Sequence, residues 1–199
     1  MKNKKGKLII ISGPSGVGKS TVISRLMAKR DDFVFSISAT TREPRGGEQD
    51  GVHYYFTSRE QFQEMIEADA FLEYAEYAGN FYGTPRGPIE KCLAEGKNVI
   101  LDIEVQGALQ VRQKMPEALA IFFAPPSFQE LERRLRGRKQ DSEEKILLRL
   151  KTARNEIKKA DQYDYIIVND GPDRSADMMI AILTAEQCKA ANQLHLLEV

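Results

Sequence analysis

The stretch Gly13-Pro14-Ser15-Gly16-Val17-Gly18-Lys19-Ser20 constrains this chain more than any other feature, because it has the spacing G-x-x-x-x-G-K-[ST]. Such a loop needs glycines: its backbone turns sharply and aims N–H groups inward, where Cβ atoms would intrude. The resulting concavity suits a polyphosphate, and the helix it opens has an N-terminal dipole that favours anions. The four fixed positions match by chance in about one of 150 chains of this length, so the flanks decide. Leu8 to Ser12 is short, apolar and β-rich and reads as a buried strand. Ser20 to Ala28 sets Val22, Ile23, Leu26 and Met27 on one helix face. Gly13, Pro14, Ser15, Gly16, Val17, Gly18, Lys19, Ser20 and Thr21 are therefore the expected contacts of a purine triphosphate. Lys19 is expected to reach the β- and γ-phosphates, and the Ser20 hydroxyl to ligate Mg²⁺.

The rest of the chain continues the rhythm. Phe33 to Ser38 alternates as a strand, and Asn98 to Ile103, Ala118 to Phe123 and Tyr165 to Val168 read as further strands. Helices are expected around Val105–Gln113, Phe128–Arg138, Glu143–Lys159 and Asp173–Ala191. Strands alternating with helices imply a parallel α/β sheet with helices on both faces. Two segments break the pattern. Residues 40 to 96 are turn-rich and then aromatic, and read as a small insertion with its own strands; residues 128 to 159 are basic and helical.

Composition sets outer limits. The 199 residues carry 29 Lys+Arg and 29 Asp+Glu, so the chain is neutral overall and a poor candidate for general nucleic-acid binding. Yet 11 Lys+Arg face only 6 Asp+Glu between Glu130 and Lys159, which suits a local anion site. Cys92 and Cys188 form no metal or disulfide pattern, and His53 and His195 stand alone, so a reducing, cytoplasmic setting is expected. The lysines at 2, 4, 5 and 7 are followed by Gly13-Pro14 where a signal peptide would stay apolar, and no run is long enough to cross a membrane.

Beside the loop, two further features carry chemistry. Val99-Ile100-Leu101-Asp102 is an apolar strand ending in a carboxylate; near a phosphate loop, Asp102 is placed to hold Mg²⁺ through water. Arg42 and Arg45, three residues apart and stiffened by Pro44, can converge on one phosphate, since guanidinium forks fit its oxygens. Pairing with Glu43 and Glu48 in a basic turn is the competing reading.

The ordered set S-x-T-T-R-x-P-R-x-G-E (Ser38 to Glu48), G-x-x-Y-x-F (Gly51 to Phe56), F-L-E (Phe71 to Glu73), G-N-x-Y-G-T (Gly79 to Thr84) and L-D-I-E-x-Q-G (Leu101 to Gly107) resembles the guanylate kinase family over nearly the whole chain. The resemblance implies a phosphate-loop NTPase-type core with a five-stranded parallel sheet at 1–37, 97–125 and 160–199. It also implies a mixed α/β GMP-binding insertion at 38–96 and a helical lid at 126–159. It implies Mg²⁺-dependent transfer from ATP to GMP, and use of dGMP. By similarity, Glu73 takes guanine N1–H and N2–H₂, with Glu104 near the 2-amino group. Ser38 and Thr84 address O6 and N7, and Arg42, Arg45, Tyr54 and Tyr82 hold the GMP phosphate. Arg134, Arg138 and Arg149 contact phosphates from the lid, and Asn169 lies on the adenine side. Lys19, Arg42, Arg138 and Arg149 are the residues expected to carry catalysis. Lys139 stands where the family often has Gly. The acceptor phosphate is largely dianionic near neutral pH, so no catalytic base is expected. A non-catalytic interaction module of the same fold and a kinase for another phosphate ester are the alternatives. The intact Gly18-Lys19-Ser20 opposes the first, and Glu73 with Ser38 and Thr84 opposes the second.

Overall fold

The computed structural model describes residues 5–137, 141–194 and 197. In chain order the strands are β1 (Leu8–Ser12), β2 (Phe33–Phe35), β3 (Ala39–Thr40), β4 (Tyr55–Phe56), β5 (Phe71–Tyr77), β6 (Asn80–Pro85), β7 (Asn98–Asp102), β8 (Leu119–Ala124) and β9 (Tyr165–Val168). The helices are α1 (Lys19–Lys29), α2 (Arg59–Glu67), α3 (Arg86–Ala94), α4 (Val105–Lys114), α5 (Phe128–Gly137), α6 (Glu143–Ile157), α7 (Pro172–Gln187) and α8 (Ala190–Gln193). A parallel five-stranded sheet has the order β2-β7-β1-β8-β9, and a second, four-stranded sheet has the order β4-β3-β6-β5.

Two compact units result. One holds residues 1–12, 32–121 and 161–164; the other holds 13–31, 122–160 and 165–199. In the first, β1 pairs with β7 from Leu8↔Val99 to Ile11↔Asp102, which fixes Asp102 as the last paired residue of its strand. Leu8, Ile10, Val99 and Leu101 pack with Leu72, Leu93, Ala108 and Val111 into one apolar cluster. Burying such side chains contributes about 1.5–3 kcal/mol each. A smaller cluster under the second sheet stacks Phe62 on Phe71 at 4.4 Å and on Phe81 at 5.4 Å. In the other unit, Leu131, Leu135, Ile146, Leu150 and Ala153 join α5 to α6.

Two expectations are corrected. The strand expected over Phe33–Ser38 ends at Phe35. Its last sheet partner is Ile100, which accepts from Ser36 N–H at 2.9 Å, whereas the Ser38 carbonyl accepts from Tyr55 N–H at 2.9 Å. The segment thus changes sheets, and a continuous run of β-formers hides that change. The helix expected over Asp173–Ala191 stops at Gln187, with α8 separate. The insertion holds helices as well as strands, as expected of a mixed α/β subdomain. α2 begins with a capping box: the Ser58 hydroxyl accepts from Gln61 N–H, and the Gln61 side chain accepts from Ser58 N–H.

Candidate active site

The phosphate loop turns through three left-handed glycines, Gly13 at φ 147°, Gly16 at φ 90° and Gly18 at φ 100°. Substitution at Gly13 is doubly opposed, because a Cβ there would lie 2.3 Å from the Phe123 carbonyl oxygen. Gly18 caps α1, so the loop leads directly into the helix N-terminus. Lys19 Nζ folds back onto the Gly13 carbonyl at 2.7 Å, which holds the ammonium over the loop it serves. Ser20 and Thr21 are exposed on the first turn of α1.

Beneath the loop, Arg134 and Asn169 brace its backbone. Arg134 Nη1 donates to the Val17 carbonyl at 3.0 Å and Nη2 to the Asn169 carbonyl at 3.0 Å. The buried Asn169 amide donates to the same Val17 carbonyl at 2.8 Å and accepts from Ser175 Oγ at 2.9 Å. Both functional ends of the Asn169 side chain are thereby engaged inside the protein. Arg134 Nε also pairs with Glu130 at 2.8 Å. Arg133 and Arg134 together hold the Glu130 carboxyl down at about 2. Arg149 lies on α6 and pairs with Asp141 at 3.1 Å. Arg138 and Lys139 lie outside the described residues.

In the other unit the second sheet and the end of β7 build a separate polar cleft of about 150 Å³. It gathers Ser38, Tyr54, Thr84 and Asp102, with His53 and Ser36 beside them. Glu73 is half-buried, and Thr84 donates its hydroxyl proton to Glu73 Oε1 at 2.5 Å. Burial raises the Glu73 carboxyl above its ordinary value; the Thr84 hydrogen bond works against this, and the nearby Glu104 charge adds to it. The Glu104 charge is near enough to act on Glu73. Glu104 is exposed and is the N-cap residue of α4.

Arg42 is held by Glu48. Its Nη2 donates to both Glu48 oxygens at 2.8 and 2.9 Å, and its Nη1 donates to the Glu43 carbonyl at 2.7 Å. Glu48 Oε2 also accepts from the Arg45 backbone N–H at 2.7 Å. The guanidinium lies 5.4 Å from the Tyr54 ring centre and 5.9 Å from that of Phe56. Tyr54 and Tyr82 meet edge-on at 6.1 Å. The Glu48 carboxylate raises the already high Arg42 pKa, and Tyr82 adds to it. Glu48 is therefore the shared anchor of both arginines, and the Arg42 hydrogen bond holds its carboxyl below the usual range. Arg45 itself is exposed.

Among the described residues no group of three or more His, Cys, Asp or Glu is arranged to hold a metal. The exposed Ser20 hydroxyl and Asp102 carboxylate are hard oxygen donors of the kind that suits Mg²⁺. That ion commonly takes few protein ligands and fills its shell with water and phosphate. No described helix is long and apolar enough to cross a membrane.

The chain is similar to known proteins over nearly its whole length. The family model described as Guanylate kinase matches residues 5–186. A guanylate kinase of Desulfitobacterium hafniense is 47% identical over 198 residues, covering 100% of this chain and 99% of its own. One from Thermus thermophilus is 49% identical over 199 residues, covering 100% of this chain and 89% of its own. The crystal structure of guanylate kinase from Anaplasma phagocytophilum superposes with a TM-score of 0.73 at 37% identity, covering 95% of this chain and 90% of that one.

Proposed function

The chain belongs to the guanylate kinase family and is a nucleoside monophosphate kinase, and from that premise we propose how its own residues divide the work of carrying the γ-phosphoryl group of ATP to GMP. The unit that holds residues 13–31 and 122–160 takes ATP on the phosphate loop. The unit that holds residues 32–121 takes GMP, with 38–96 as its binding subdomain. Residues 126–159 act as the lid. The division is supported by the insertion lying wholly within one compact unit and the lid wholly within the other.

The observation that carries the GMP assignment is Glu73, half-buried, held by Thr84 and close enough to Glu104 to feel its charge. Guanine offers two adjacent donors, N1–H and N2–H₂, and a carboxylate accepts from both. Adenine has neither at those positions and would leave Glu73 unpaired. A site built this way can discriminate by about 10⁴–10⁵. Ser38 addresses O6. Thr84 acts through Glu73, since its proton is already donated there. Arg42, Arg45, Tyr54 and Tyr82 hold the GMP phosphate.

On the donor side, backbone N–H groups from Gly13 to Ser20 and the Thr21 hydroxyl cradle the ATP phosphates, and Lys19 reaches the β- and γ-oxygens. Arg134 acts by holding the loop and Asn169 by bracing it from below. Arg138 and Arg149 neutralise the charge that develops on the transferred group. Ser20, and Asp102 through water, are the residues that would hold Mg²⁺, which would supply further charge neutralisation on the phosphates. A GMP phosphate oxygen attacks γ-phosphorus as the bond to the ADP oxygen breaks, and no protein base is needed because the acceptor is already dianionic. The same reading extends to dGMP, to the absence of a nucleic-acid partner and to a cytoplasmic setting, which the unpaired Cys92 and Cys188 support.

Coupled measurement of ADP release, with ATP and Mg²⁺, tests the whole assignment. GMP, dGMP, AMP, UMP, CMP and no acceptor are compared. Rapid release with GMP and dGMP alone is expected, lost when Mg²⁺ is chelated. Equal release with AMP would remove Glu73 from base recognition, and release without acceptor would make the protein an ATPase.

A further inference from the structure

Helix α4 touches strand β5 at three places along one face. Gly107, Gln110 and Lys114 are three and four residues apart, the spacing that aligns positions on a helix surface. A Cβ on Gly107 would lie 2.9 Å from Glu73 Oε2 and 3.3 Å from its carboxyl carbon. Gln110 Oε1 accepts from Tyr74 N–H at 3.2 Å, and Gln110 Nε2 donates to the Tyr74 carbonyl at 3.3 Å. Lys114 Nζ donates to the Phe71 carbonyl at 2.6 Å and pairs with Asp69 at 2.6 Å.

The place of these contacts in the sheet gives them meaning. β5 is an edge strand of the second sheet, with β6 on one side only. Edge strands present backbone N–H and C=O groups with no strand to meet them. At Tyr74, the residue after Glu73, the Gln110 amide takes both, as a neighbouring strand would. The β5–β6 register is also irregular between Phe71 and Glu73, so the ladder on the other side guides this stretch less than a regular one would. Glu104 is the N-cap residue of the same helix. Both carboxylates assigned to guanine are thus tied to α4, one by the chain and one by the Gln110 clamp.

We propose that Gln110 is a positioning residue for base selection: its two hydrogen bonds to Tyr74 fix Glu73 against α4, and Gly107 leaves the space the Glu73 carboxylate occupies. The proposal rests on the guanine-reading role of Glu73. Without the clamp, the edge strand relaxes and the carboxylate loses its bidentate fit to N1–H and N2–H₂. The loss falls on GMP more than on IMP, which lacks the 2-amino group, and spares ATP.

The test is steady-state kinetics with GMP, IMP and ATP, together with Tm, on wild type, Gln110→Met, Gly107→Ala, Glu73→Gln and the double variant Glu73→Gln/Gln110→Met. Gln110→Met should raise KM for GMP about 10-fold, leave kcat within about 2-fold and KM for ATP unchanged, and reduce the GMP-over-IMP preference. In the Glu73→Gln background the same change should add less than about 2-fold, because its effect runs through Glu73. Gly107→Ala keeps both Gln110 hydrogen bonds and improves helix propensity. Its expected loss of GMP affinity at undiminished Tm therefore cannot come from unfolding. Wild-type KM values and GMP-over-IMP preference in both variants would overturn the proposal, as would a full Gln110→Met effect persisting without the Glu73 carboxylate. A wild-type protein indifferent to GMP would instead remove the site reading beneath it, and the proposal with that reading.

Discussion

Thr84 donates its hydroxyl proton to Glu73 across the β5–β6 ladder, Oγ1 to Oε1 at 2.5 Å, from the residue paired directly opposite. The bond aims one carboxylate oxygen and offsets part of the cost of leaving a charge half-buried. Thr84→Val should therefore raise the Glu73 pKa further and move the acid limb of GMP binding to higher pH. KM for GMP at neutral pH should rise about 10-fold, with ATP unaffected. Thr84→Ser should restore the wild-type profile. An unmoved acid limb in Thr84→Val would show that the hydroxyl does not tune Glu73.

Glu73 links selectivity to stability with a definite sign. Its folded-state pKa lies above the ordinary glutamate value because of burial. The folded protein therefore holds that proton more tightly than the unfolded chain, and this contribution to stability is lost as pH rises through the raised pKa. GMP donors favour the carboxylate, so GMP binding should strengthen over the same window and then level off. Glu73→Gln should weaken GMP about 100-fold, raise Tm of the unliganded protein at pH 7 and flatten that part of the pH dependence. Calorimetric melting and GMP titrations at several pH values check all three.

Glu48 has no substrate atom assigned to it, yet it grips Arg42 through two oxygens and the Arg45 backbone through one. Its pKa is lowered by Arg42, so the pair is formed above the ordinary glutamate range and is lost only as pH falls through the lowered value. Glu48→Gln should raise KM for GMP about 10-fold while guanosine, which has no phosphate, competes as well as before. Weakened guanosine competition would place the fault in the base site instead.

Two changes in the phosphate loop should fail differently. Lys19→Ala should lower kcat by about 10³-fold or more in a protein with normal Tm, because the ammonium acts on developing charge. Gly13→Ala should lower Tm itself, since φ 147° and a 2.3 Å approach to the Phe123 carbonyl leave no room for a Cβ. Normal melting of Gly13→Ala would show that the loop can shift to accept a side chain.

Signals confined to neighbouring residues survived the passage from sequence to structure. The strand over Leu8–Ser12 matches to the residue, and the loop after it has its glycines in the left-handed conformations its chemistry requires. The Ser58-x-x-Gln61 box is equally local and marks the start of α2. The crossing from Ser36 to Ser38 was illegible, because Phe-Ser-Ile-Ser-Ala-Thr offers no break and only the partners change.

The glycine-loop spacing was legible without coordinates, and so was the ordered set of motifs that carries the likeness to guanylate kinases. Both depend on backbone freedom and on residue types at short spacing. The groups that hold these residues in place are brought to them by the fold. Gln110 meets Tyr74 from 36 residues away, and Asn169 braces Val17 from 152 residues away. Glu48 becomes the anchor of two arginines only once its turn closes. An amide or a carboxylate looks the same in sequence whether solvated or clamped; what differs is the partner that folding brings to it, together with the loss of water that makes the pairing count.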